Sequence, residues 1–194
     1  LGAAAVSILG GILARPGGPR RGLAFAILGL VLGLAVTAVP WNYRQTALSV
    51  PPIHDITTDV ENPPRFEAVL PLRAKASNPA GYGGPAIAVQ QLRAYPDIRP
   101  ATLVLSPDQA FERALAVARE MGWTIIDAAK AEGRIEATDE TFWFGFKDDV
   151  IIRITPAAGT GSRVDVRSAS RVGRSDLGKN AQRIRAFLAR IAKI

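Results

Sequence analysis

The order of signals along the chain predicts an α+β protein. An N-terminal transmembrane helical hairpin comes first, then a proline-rich ordered strap, then an antiparallel sheet of three to four strands flanked by two helices. Three observations carry this prediction. The first 40 residues are almost uncharged, with only Arg15, Arg20 and Arg21. Nine prolines then fall between Thr46 and Pro100, too closely spaced for a long helix. After Leu105, helical spacing gives way to strand-like alternation and returns at the C terminus. The divisions are residues 1–40, 41–104 and 105–194.

Leu1–Ala14 is uncharged but short of the ~20 residues a bilayer span needs, and a few more upstream would complete it. Leu23–Val39 supplies 17 uncharged residues, with Pro40 as the expected stop and Trp41 and Tyr43 as interfacial anchors. Between them Arg15–Gly22 reads as a tight basic turn. A signal peptide would show one apolar core and a small-residue cleavage site, not two cores about such a turn. The positive-inside rule places the turn 15–22 in the cytoplasm, because only Arg44 follows the second span closely. Residues 41–194 are then expected in the periplasm, with the anchor in a bacterial inner membrane. Gly29 and Gly33 form a small-xxx-small pair that lets a helix approach, from a partner subunit or from the first span.

The 194 residues carry a net charge of +7. Beyond residue 40 the cations exceed the anions by four and the two signs interleave, which is no nucleic-acid footprint. With no cysteine, a disulfide framework, thiolate zinc sites and cysteine nucleophiles are excluded.

The strap holds too many apolar residues (Ile53, Ile56, Phe66, Val69, Leu92 among them) for a solvated tether, so it is expected to lie across the folded domain or a partner. His54, Asp55 and Asp59 invite a metal reading, but Asp and Thr in such a loop more commonly make local turns. No metal or cofactor is expected. Asn78–Gly84 reads as a turn or hinge.

Ser106-Pro107-Asp108-Gln109 is a helix start, with Ser as N-cap and Gln in the capping-box position. Ala110, Phe111, Ala114, Leu115 and Ala118 follow at helical spacing, and Gly122 ends the run. Strands are expected over Trp123–Asp127 and Arg134–Thr138, the latter continuing through Thr141–Phe146. Lys147-Asp148-Asp149 reads as a polar turn, followed by a strand over Val150–Thr155 and, after a glycine-rich hairpin loop, another over Arg163–Ala169. The aromatic residues Trp123, Phe142, Trp143, Phe144 and Phe146 read as core, with a lipid pocket as the minor alternative. A closing helix buries Ala181, Ile184, Phe187, Leu188 and Ile191, leaving Arg183, Arg185 and Arg190 to solvent. Both helices are expected on one sheet face, with the strap over the other.

The string Phe146–Ile154, the run Asp165–Asn180 and the pair Arg183-Ile184, with Gly122-Trp123 and Gly133–Glu136 upstream, resemble the family named domain of unknown function 1499. The likeness covers about Pro52 to Ile194 and is strongest after Ser106. It implies no established activity, and membrane attachment or export in agreement with the apolar segments. Some relatives carry cysteines in their early segment, so no role that needs them transfers here.

Candidate binding residues concentrate before the last helix: Arg167, Ser168, Ser170, Arg171, Arg174, Ser175, Asp176 and Asn180. Arginines and hydroxyls beside a helix start suit a phosphate or carboxylate. The same residues, with Asp165, would equally lock the last strand to the last helix through a buried network. Catalysis is the weaker reading, since the serines lack a nearby base and His54 is distant. Two functions follow. One is a noncatalytic accessory or scaffold subunit of a larger membrane complex, partnered by integral membrane subunits. The other is a periplasmic binding module for an anionic ligand or lipid, using the Arg/Ser loop.

Overall fold

A computed structural model describes residues 23–142, 144–157, 159 and 161–193. The predicted first span and the basic turn lie outside the described residues. The chain forms two compact units, residues 1–49 and 50–194.

In the first unit, helix α1 (Leu23–Ser49) continues through Pro40, which was expected to stop it. A proline removes one backbone donor but does not end a helix whose other bonds persist. Ile27, Leu32, Val36 and Val39 are exposed along it. The segment Ala26–Ser49 is long and apolar enough to cross a membrane.

The second unit is built on an open antiparallel sheet. Its strands are β1 (Asp55–Thr57), β2 (Ala101–Leu103), β3 (Thr124–Ala129), β4 (Arg134–Glu140), β5 (Lys147–Pro156) and β6 (Ser162–Ser170). The order is β1-β6-β5-β4-β3, with β2 also paired to β6. Residue Asp55 lies opposite Ala169 and Ala101 opposite Val164, so β1 and β2 follow one another along the same edge of β6. Six strands replace the expected three to four because the strap contributes two. Each is three residues long, too short for alternation to register in the sequence. The strap also folds a helix, α2 (Pro85–Ala94).

Helices α3 (Pro107–Glu120) and α4 (Lys179–Ile191) cover one face. The expected capping box starts α3: Gln109 N–H donates to Ser106 Oγ (3.3 Å), and Ser106 N–H donates to Gln109 Oε1 (3.1 Å). Phe111, Ala114, Ile184 and Phe187 pack on Ile135, Val150, Ile152 and Val166 in one core, and Trp123 stacks on Phe187 at 5.5 Å. Each fully buried Ile or Phe contributes about 1.5–3 kcal/mol over leaving it in water. Gly133, at φ 62°, turns the chain into β4 where a Cβ would collide with the Ile154 carbonyl oxygen, so only glycine fits.

The aromatic run departs from expectation. Glu140 opposite Lys147 is the last paired rung between β4 and β5, so Thr141–Phe146 forms a hairpin loop beyond the sheet. Phe146 N–H donates to Thr141 Oγ1 (2.9 Å), Thr141 N–H to the Phe146 carbonyl (2.9 Å), and Gly145 adopts φ 61°. Phe142, Phe144 and Phe146 are 90%, 73% and 52% exposed, not core, while Trp143 lies outside the described residues. The alternation was real, but the pairing that would have given it an inner face stops one residue earlier. The turn expected at Lys147–Asp149 is instead the start of β5.

Candidate functional site

The second face of the sheet is buried under the strap. Phe66 and Val69 from the strap meet Ile151 and Ala169 in a small apolar cluster, and most of what surrounds it is charged. Strand alternation puts Asp149, Ile151 and Arg153 of β5 on this side, with Asp165 and Arg167 of β6 beside them.

Arg167 is 2% exposed. Its Nε donates to Asp55 Oδ1 (2.9 Å) and its Nη2 to Asp55 Oδ2 (2.7 Å), a bidentate pair. Its remaining reach is spent on the Pro64 and Ala80 carbonyls, at 3.0 and 2.8 Å. The guanidinium lies over the rings of Phe66 (4.8 Å) and Tyr82 (5.7 Å). Arg171 makes a second bidentate pair with Asp149 (Nε–Oδ2 2.9 Å, Nη2–Oδ1 2.7 Å), and Arg73 from the strap adds a third contact to that carboxylate at 2.7 Å. Burial alone would raise the Asp149 carboxyl, but donors from Arg171, Thr138 and Arg73 hold it below the usual carboxylate range. Asp165 and Asp59 share Arg153 and Arg163 in the same manner. Fully buried Glu136 accepts the backbone N–H groups of Glu67, Ala68 and Val69 at 2.9 to 3.0 Å, and a bond from Arg134 at 2.7 Å.

The remaining nominated residues sit on the helix face or in the loop. Ser168 Oγ donates to Asn180 Oδ1 (2.6 Å), and Asn180 Nδ2 donates to Ser170 Oγ (3.0 Å) and to the His54 carbonyl (2.9 Å). Arg183, expected in solvent, is 8% exposed and donates to Asp148, Asp139, Ser168 and Asn180. Helical periodicity put it on the outer side, but Asp148 on β5 draws it in. Asp176 caps α4 from outside it, accepting from Gly178 N–H (2.8 Å) and Asn180 N–H (2.7 Å). Burial pushes its carboxyl above the ordinary value more than those two donors pull it down. Ser175 Oγ accepts from Leu177 N–H at 3.2 Å. Arg174 is exposed.

The nominated loop therefore splits. Arg167 binds the strap, Arg171 binds Asp149 of β5 and the Leu72 carbonyl of the strap, Ser168, Ser170 and Asn180 join β6 to the helix, and Arg174 alone of them is exposed. The partners that sequence reasoning missed are Asp55, Asp149, Glu136, Arg73 and Asp148. Asp55 and Asp59, weighed for a metal, are taken by arginines, and no metal-type cluster occurs among the described residues. Adjacent Asp148 and Asp149 point to opposite faces of β5 and are both buried.

Within the strap, beside α2, lies an open cleft of about 790 Å³ lined by Phe66, Leu70, Tyr82, Leu92, Glu61, Arg65 and Arg167 among others. The Tyr82 hydroxyl is buried there without a hydrogen-bond partner. Burial and the nearby Asp55 push it up to about 12, against a lowering from Arg167. Of the nominated residues only Arg167 reaches this cleft.

The family described as "Protein of unknown function (DUF1499)" matches residues 55–191, and the chain belongs to it. No curated protein matches the chain.

Proposed function

We propose that this DUF1499 protein is a noncatalytic accessory subunit, tethered in a bacterial inner membrane and presenting residues 50–194 on the periplasmic side. The observation that carries this reading is α1. Large apolar side chains are exposed along it from Ile27 to Leu48, so it requires lipid or other helices around it. Arg15, Arg20 and Arg21 precede the helix and only Arg44 lies near its end, which favours the stated orientation. Gly29 and Gly33 offer a close-approach stripe to a helix of another subunit. The buried acids of the folded unit are held by arginines in ion pairs, a use that favours scaffold over chemistry.

Gentle native purification of the tagged chain, with mass spectrometry of what stays bound, tests this. Membrane subunits in stoichiometric amount are expected. Recovery of the chain alone would overturn it.

A second reading is favoured by the cleft beside Tyr82: binding of an anionic amphiphile, its tail against Phe66, Leu70 and Leu92 and its charge on Arg65. The same purification reads it as a retained lipid or fatty acid. A Leu92→Trp variant, which fills the cleft, should lose that ligand, and full retention would sink this alternative.

A further inference from the structure

We infer that the aromatic hairpin Thr141–Phe146 docks into the surface of the bilayer to which the chain is tethered, an inference that rests on the membrane reading above. Among the described residues of this hairpin, Phe142, Phe144 and Phe146 are aromatic. Phe142 and Phe144 are 90% and 73% exposed, and Phe144 stacks on Phe146 at 5.7 Å. Exposed aromatics gathered at one tip mark an interaction surface, and aromatic rings favour the headgroup level of a membrane. The loop closes its own backbone bonds through Thr141, Gly145 and Phe146, so those groups stay satisfied away from bulk water.

The register shows what lies beside the tip. Lys147 ends the hairpin, and its carbonyl accepts from Arg171 N–H at 3.0 Å. Ser170 N–H, one residue earlier, donates to the His54 carbonyl (2.9 Å), and Asp176 N–H donates to the Ile53 carbonyl (3.3 Å). The hairpin, the Arg171–Asp176 loop and the first residues of the folded unit therefore share one end of the sheet. The chain that follows α1 enters the domain where the aromatic tip leaves it. Leu72 and Val172, both exposed, extend the apolar surface at this end, since Arg171 Nη1 donates to the Leu72 carbonyl (3.2 Å). Arg174 and Lys75 are exposed at this end, and Lys147 at the base of the hairpin pairs with Glu140 at 3.5 Å. An aromatic tip with Arg174 and Lys75 at the same end of the sheet suits an anionic lipid surface.

The chain contains no cysteine, so single substitutions give unique spin-label sites. Phe144→Cys and, as a second tip site, Phe142→Cys would be labelled in the full chain. Ala157→Cys, in the loop at the opposite end of β5, serves as reference, and Val36→Cys reports on α1. Each is reconstituted into vesicles of equal parts phosphatidylcholine and phosphatidylglycerol, and collisions with oxygen and with an aqueous nickel chelate are compared. Docking predicts that both tip labels gain oxygen collisions and lose nickel collisions relative to Ala157. Tip labels as open to nickel as Ala157, with the Val36 label in lipid, would overturn the docking and leave the tether standing. Aqueous readings at Val36 and at the tip together would overturn both.

Discussion

Two faces of the same sheet are buried by different physics. Along β5, Val150, Ile152 and Ile154 meet two helices in an apolar core, while Asp149 and Arg153, on either side of Ile151, meet Arg73 and Asp59 of the strap in ion pairs. The helix face is held by burial that has no direction, so a swap conserving volume changes little. The strap face is held by arginine–carboxylate forks whose geometry must be complete, because each buried charge is costly once its partner is gone. A protein can thus cover the second side of a sheet with only a small apolar cluster, provided every buried charge finds its counterpart.

The sharpest way to break the comparison is to strand charges on the strap side. Asp149→Ala leaves Arg73 and Arg171 facing each other without a carboxylate, and a loss of about 3–5 kcal/mol is expected in urea unfolding. Arg167→Met should cost about as much by stranding Asp55, whereas Arg167→Met combined with Asp55→Leu should recover most of the loss. A double variant no more stable than the single would mean that the pair is not what holds the strap. On the helix face, Ile152→Val removes one methyl group and should cost only about 0.5–1.5 kcal/mol.

Acid separates the faces as well. The folded Asp149 carboxyl lies below its ordinary 3.8, so its contribution is full at neutral pH and is lost as the pH falls past 3.8 and through the lowered folded value. Asp149→Asn should therefore be less stable than the parent at neutral pH, with the gap narrowing in acid. A gap constant with pH in urea midpoints would contradict this. The smallest effect is expected at Arg174, where Ala should change stability by no more than about 0.5 kcal/mol.

What the sequence revealed follows the same division. The helix face was legible because its signals are local: the Ser106–Gln109 capping box, the spacing of Ala110 to Ala118, and the alternation from Val150 onward. The strap face rests on pairs with no local signature. Arg167 and Asp55 are 112 residues apart and Arg73 and Asp149 are 76 apart. The arginines before α4 stand out in the sequence, but nothing in one sequence says whether such a side chain turns outward to a ligand or inward to an unseen aspartate. Thr141–Phe146 misled for the opposite reason: a strand-like pattern persisted beyond the last paired rung.

The pairing of β1 with β6 also sets an order of events during synthesis. Asp55 emerges from the ribosome long before Arg167, so the acids and arginines of the strap stay solvated until the chain is almost complete. Helices α2 and α3 and the β4–β5 hairpin rest on nearer neighbours and can form earlier, leaving closure of the strap as the late step. A chain truncated before Ser162 would lack β6 and with it the partners of both short strands. It would expose a row of buried-type charges and an unpaired β5 edge, a form that quality-control proteases and aggregation would both find accessible.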